Sequence, residues 1–140
     1  MSEKKTKKDA PYLGFEQGPI RPPSEAHSLL LRITRNCPWN RCTFCPVYKG
    51  ARFSLRDPEH VKMDIDAVHQ SVEMIRNAVD DQGSVSRETL STLAHSLSPM
   101  EQPAFHAALN WMNAGMQSVF LQDANSPIIK PDDLIDILRH

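Results

Sequence analysis

The sequence predicts an α/β chain: a parallel sheet with covering helices. Two short apolar runs, Ser28-Leu-Leu-Leu-Arg-Ile-Thr34 and Ser118-Val-Phe-Leu121, have the length of buried strands and are bounded by turn-formers. The stretch between them is long and carries apolar residues at spacings of three and four, the signature of helices. A long helical crossover joins parallel strands, because antiparallel neighbours need only a tight turn.

Residues 1–26 read as an irregular N-terminal extension. Lys4, Lys5, Lys7 and Lys8 make a solvated basic tail, and Gly18, Pro19, Pro22 and Pro23 interrupt regular structure. Residues 27–140 read as one unit. After the first strand, residues 36–50 form a loop that holds every cysteine of the chain.

A long helix follows. Asp57 suits the N-cap and Pro58 the first helical position. Val61, Ile65, Val68, Val72, Ile75 and Val79 form one apolar stripe, with Lys62, Asp66, Glu73 and Arg76 off it. The run Asp80-Asp-Gln-Gly83 ends the helix. Residues 84–97 predict a second helix with Leu90, Leu93 and Leu97 on one side. Ser98-Pro99-Met-Glu101 has the form of a capping box. Pro103 disturbs a helix begun there, so the regular part of the third helix starts near it and runs to Asn113. Phe105, Leu109 and Met112 face inward and Gly115 stops it. A polar turn, Gln122 to Pro127, follows the second strand. Pro131-Asp-Asp-Leu-Ile-Asp-Ile-Leu138 then opens a last helix whose acidic first turn suits the helix dipole. The other methionines, Met63, Met74, Met100, Met112 and Met116, read as packing residues.

With 140 residues, the chain suffices for one domain of ordinary size. Its formal net charge of −1 gives no overall field for nucleic acid. No apolar run approaches a membrane span. The basic start lacks the apolar core of a signal peptide, so the expected location is cytoplasmic.

The cysteines are Cys37, Cys42 and Cys45, spaced C-x4-C-x2-C. In a reducing compartment such a cluster reads as metal ligands sooner than as disulfides. Structural zinc takes four ligands, as does a simple electron-transfer iron–sulfur cluster. Three cysteines can hold three corners of a [4Fe-4S] cluster and leave one iron open to a small molecule.

This loop resembles the cysteine loop of the radical S-adenosylmethionine (radical SAM) enzymes. Their usual spacing is C-x3-C-x2-C with an aromatic residue before the last cysteine. Phe44 holds that place, Cys42-Thr-Phe-Cys45 matches, and the first gap is one residue longer. The resemblance implies a [4Fe-4S] cluster on Cys37, Cys42 and Cys45. It also implies S-adenosylmethionine at the open iron, cleaved reductively to start radical chemistry. It extends to Phe120-Leu-Gln-Asp-Ala-Asn-Ser-Pro127, similar to an acidic motif that holds the SAM ammonium group in some branches. Asp123, with Ala124 and Asn125 beside it, would be that cofactor-binding stretch, Asp123 accepting from the ammonium. A plain turn or helix N-cap region is the other reading of the same residues.

The resemblance also implies a fold: the N-terminal portion of a partial (β/α) TIM-type barrel, apparently incomplete. A complete eight-unit barrel takes about 250 residues. The expected partners are an external electron donor of the reduced flavodoxin or ferredoxin type and an unknown substrate. Membrane and nucleic acid are not indicated. As part of a longer or split enzyme, this piece alone would be inactive and marginally stable, with an exposed edge beside the second strand and exposed apolar surface.

Two other functions stay open on the residues alone. One is a non-catalytic iron–sulfur protein that passes electrons. The other is a small zinc-binding module with His27 or a partner residue as fourth ligand. Nearby, Trp39 would shield a cluster or act as an apolar anchor. Arg32, Arg35 and Arg41 would offset cluster charge or be solvated. Tyr48, Lys49 and Arg52 would reach an anionic ligand or be plain loop residues.

Overall fold

The computed structural model describes residues 11–37, 39, 41, 43, 45, 47, 48, 50–122 and 129–140. In chain order they form β1 (Leu29–Arg32), β2 (Thr34–Arg35), β3 (Ser54–Leu55), α1 (Pro58–Asn77), α2 (Arg87–Ser96), α3 (Gln102–Asn113), β4 (Val119–Gln122) and α4 (Pro131–Arg139). A single 3-10 turn at Pro23–Glu25 precedes β1.

β1 and β4 pair in parallel, in the register Leu29↔Val119, Leu30↔Phe120, Leu31↔Leu121 and Arg32↔Gln122. β2 and β3 pair antiparallel in a second two-stranded sheet. The described residues therefore form an α/β structure with a parallel strand pair and no closed barrel. The first apolar run divides in two at Ile33, whose N–H donates to the Gln122 carbonyl and whose carbonyl accepts from the Arg56 N–H; Thr34 and Arg35 then pair with Leu55 and Ser54. The antiparallel pair was invisible to periodicity because each strand is two residues long.

α1 is the spine of the packing, lying against α3, α4 and β1. Asp57 caps it by accepting from the Glu59 backbone N–H at 2.9 Å, with Pro58 in the first turn. The stripe is buried through Val61, Val68, Val72 and Ile75, but Val79 falls beyond the helix end and is exposed. Leu29 and Leu31, on one face of the sheet, join Phe15, Val68, Val72, Ile75, Ala104, Phe105 and Ala108 in the main core. Each large apolar side chain buried there contributes roughly 1.5–3 kcal/mol relative to exposure. Ile33, Val61, Ile129 and Ile137 form a second, smaller cluster where α4 meets α1. Lys62 ties those helices by pairing with Asp136, as does His140 Nε2 with Asp66 Oδ1 at 2.7 Å.

At the start of α3 the capping box is half realised. The Glu101 carboxylate accepts from the Ser98 backbone N–H at 2.9 Å, but the regular helix begins only at Gln102, with Pro103 in its first turn. Gly115 ends it with φ of 89°, a conformation glycine adopts without penalty. Met63 and Met100 are exposed, whereas Met74, Met112 and Met116 pack on the main core. An apolar groove of ≈630 Å3 opens between β4, α1 and α4, and Val119 (45% exposed) and Leu138 (64%) sit on it. No helix among the described residues is long and apolar enough to cross a membrane.

The irregular segment 11–20 is integral to this packing. Phe15 is buried in the main core. Gly14 has φ of 103°, and a Cβ there would stand 2.7 Å from Met100 Cγ. Gln122 reaches this strap from β4, its Oε1 accepting from the Gly18 N–H at 2.8 Å and its Nε2 donating to the Ile20 carbonyl.

Candidate functional site

Parallel pairing puts the carboxyl ends of β1 and β4 on the same edge of the sheet. Arg32 and Gln122 are register partners on the last rung, so the two strands end side by side. Ligands in parallel α/β structures gather at such an edge.

From β1 the chain enters a narrow neck. Thr34 pairs with Leu55 and Arg35 with Ser54. Asn36 adopts φ of 66° and its Nδ2 donates to the Arg52 carbonyl at 2.6 Å. Asparagine tolerates this left-handed turn better than most residues. Residues 34–36 and 52–55 thus close a neck, and Cys37 is the next residue along the chain. Cys37 and Cys45 are half-buried thiols outside any disulfide. Cys42 and Phe44 lie outside the described residues, as do Asp123, Ala124 and Asn125. Among the described residues, no three His, Cys, Asp or Glu side chains gather as a metal-binding group.

Under the neck lies a charged cluster that periodicity did not reveal. Glu16, from the strap, meets three arginines. Arg35 grips it with a fork, Nε to Oε1 at 2.8 Å and Nη2 to Oε2 at 2.9 Å. Arg32 Nη1 donates to Oε1 at 2.8 Å. Arg56 Nε stands 3.3 Å from Oε2. That contact lacks hydrogen-bond alignment, so Arg56 Nε is the only buried side-chain polar atom among the described residues with no hydrogen-bond partner. Arg56 Nη1 donates to the Arg32 carbonyl at 3.0 Å and to Asp64 Oδ2. Tyr12 donates its hydroxyl to Asp64 Oδ1 at 2.7 Å. Arg56 and Asp64 are nearly fully buried, with side chains 2% and 0% exposed.

The surroundings shift these groups in different directions. Burial opposes ionisation of Glu16, but the Arg35 hydrogen bond and the charges of Arg56, Arg35 and Arg32 outweigh it and hold its pKa below the ordinary value. Burial raises the Asp64 pKa, against the opposing pull of Arg56 and Tyr12. Burial, then the Asp64 hydrogen bond, raises that of the Tyr12 hydroxyl.

A pH dependence follows. The depressed pKa of Glu16 contributes stability that is present above its unperturbed value of 4.5 and is lost as pH falls through the folded value. Asp64 acts in the opposite sense: its raised pKa contributes stability below its unperturbed value of 3.8 that is lost as pH rises through the folded value. In melts taken from pH 6 down to pH 3, Glu16→Gln should flatten the acid-side fall of the wild type. Identical acid limbs in both proteins would mean that Glu16 is not its source.

The remaining sequence candidates divide. Arg32 and Arg35 are engaged by Glu16, whose single charge is shared with Arg56 and so offsets only part of theirs. Arg41 and Arg52 are exposed, and Tyr48 is buried. Trp39 is 58% exposed and so does not anchor the core. His27 is exposed and precedes the amino end of β1, whereas the cysteines follow its carboxyl end. At about 3.3 Å per strand residue, the length of β1 separates His27 from Cys37. No family model, curated protein or solved structure matches the chain.

Proposed function

We propose that this chain is the cofactor-binding part of a radical SAM enzyme, with a [4Fe-4S] cluster held by Cys37, Cys42 and Cys45 and S-adenosylmethionine at the iron left open. The observation that carries this reading is the set of three cysteines, with no fourth in the chain, within one nine-residue stretch that follows the first strand of a parallel pair in the sequence. The donor chemistry fits: Cys37 and Cys45 are thiols outside any disulfide, and three sulfurs suit a cluster with one vacant metal position. When bound, such a cluster supplies the electron that cleaves S-adenosylmethionine to a carbon radical able to abstract hydrogen from a substrate.

The chain's own residues supply position. The Asn36–Arg52 clasp and the β2–β3 ladder fix where the cysteine loop starts and ends. Gln122, the last described residue before the 123–128 segment, is the register partner of Arg32. Asp123 in that segment would accept from the cofactor's ammonium group, with Ala124 and Asn125 lending backbone or amide contacts. Phe44 would pack beside the last cysteine and exclude water. On this reading the chain belongs to a partial (β/α) barrel, further strands adding beyond β4, where apolar surface is exposed. An external flavodoxin- or ferredoxin-type donor would supply the electron in a reducing, cytoplasmic setting.

Anaerobic reconstitution with iron and sulfide tests the reading. A broad brown absorbance that changes when S-adenosylmethionine is added is the expected result, and Asp123→Ala should weaken that response while sparing the cluster. A cluster indifferent to S-adenosylmethionine would point to an electron carrier. A colourless protein holding zinc would point to a structural module, although the position of His27 disfavours it as the fourth ligand.

A further inference from the structure

We propose that Arg32, Arg35 and Arg56 form a binding site for a small-molecule carboxylate, and that the Glu16 side chain is its internal occupant, displaced when the ligand binds. Three guanidinium groups from different places in the chain (the end of β1, β2, and the residue after β3) converge on one carboxylate. All three sit on or beside paired strands, so the donors are fixed before anything arrives. Glu16 instead belongs to a segment without regular structure, and its side chain is 26% exposed. Displacement requires this side chain alone to swing toward solvent, with Phe15 and the Gln122 contacts of the strap left in place.

The geometry selects the ligand class. Arg35 presents its Nε and Nη2 to two oxygens of one planar group at 2.8 and 2.9 Å, the fork–fork match of guanidinium to carboxylate. Arg56 supplies the second, independent indication. Its side chain is nearly fully buried, yet its Nε faces Glu16 Oε2 without an aligned hydrogen bond. Buried donors are nearly always satisfied, and an exception calls for an explanation. Glu16 is tethered to the strap and leaves that donor unaligned, whereas an untethered carboxylate can align with it. The site lies beneath the neck of the cysteine loop, so its ligand would be held beside whatever that loop carries. The inference does not depend on the iron–sulfur reading, because the apoprotein alone tests it.

The test is rescue of Glu16→Ala by acetate in the full chain, with melting temperatures compared in sodium acetate and in sodium chloride of equal ionic strength. In the wild type acetate must displace Glu16, so its gain there should be smaller, and Glu16→Ala/Arg35→Ala controls for the general effect of acetate on stability. Acetate at ten times its dissociation constant shifts the folding equilibrium by about tenfold, a rise of about 5 °C for a domain of this size. That gain should saturate, exceed the wild-type gain, and vanish in Glu16→Ala/Arg35→Ala. Sulfate, a tetrahedral anion, should give less. Equal melting temperatures for Glu16→Ala in acetate and chloride would overturn the proposal, as would a gain that survives loss of Arg35. If Glu16→Ala is unfolded in chloride, recovery of its helical circular dichroism by acetate supports the proposal and failure to recover overturns it.

Discussion

Arg56→Met is expected to destabilise the protein by about 3–5 kcal/mol, the cost of leaving a buried charge without its partner. Asp64 has no exposed side-chain surface, and Arg56 is its cationic partner. Once Arg56 is gone, Asp64 keeps the Tyr12 hydroxyl and the Glu16 backbone N–H but no cation, and the Arg32 carbonyl loses a donor as well. Single domains are stable by only about 5–15 kcal/mol, so one substitution would bring this one close to unfolding. Glu16 would suffer less, because Arg35 and Arg32 still hold it. The pair itself is a different matter. Two buried charges repay much of their desolvation only to each other, so Arg56→Met/Asp64→Leu should lie within about 2 kcal/mol of the wild type, the residue being the orphaned Tyr12, Arg32 and Glu16 backbone groups. Urea melts of the three proteins measure this. A double variant as unstable as Arg56→Met would show that the cluster stabilises the fold by something other than mutual neutralisation.

That cluster also marks where the sequence stops being legible. The helices were readable because their signals are local: Asp57 and Pro58 open α1, the four-three spacing gives its buried face, and Gly115 closes α3. The two strands were readable as apolar runs of the right length, and the long helical crossover between them implied parallel pairing. Asp64 did leave a trace. It lies three residues after Val61 and four before Val68, on the buried stripe, where a carboxylate demands a partner. Nothing local names that partner. Glu16 and Arg35 are nineteen residues apart in the chain, and Gln122 reaches Gly18 across a hundred and four. Proline and glycine around residues 18–23 predict irregular backbone there, but irregular backbone is not the same as unpacked backbone, as buried Phe15 shows. The β2–β3 ladder was missed for the opposite reason: two residues per strand are too few for any period to register. For the candidate site, spacing singled out the cysteines, while the neck beneath them needed tertiary pairing to be seen.

The cysteines should behave in the opposite way to Arg56, with a large effect on the bound metal and a small one on the fold. Cys37 and Cys45 are half-buried and belong to no core cluster, so Cys37→Ala and Cys45→Ala in the apoprotein should each change stability by less than about 1 kcal/mol. The loop's ends are held by Asn36, Arg52 and the β2–β3 ladder, and none of these contacts involves a thiol. After anaerobic reconstitution, iron and sulfide per chain should fall at least about tenfold in Cys37→Ala, Cys42→Ala and Cys45→Ala alike. Removing groups that merely orient metal ligands already costs about 10–100-fold in affinity, and losing a ligand costs at least as much. The equality of the three is the sharp part of the expectation. A cluster gripped at three corners has no spare protein ligand, so no cysteine can be dispensable. Should one variant retain full iron and sulfide, a fourth protein donor must be at hand, and with it the vacant iron and the place for S-adenosylmethionine disappear. Urea melts of the apoproteins beside iron and sulfide assays of the reconstituted chains separate this outcome from simple misfolding.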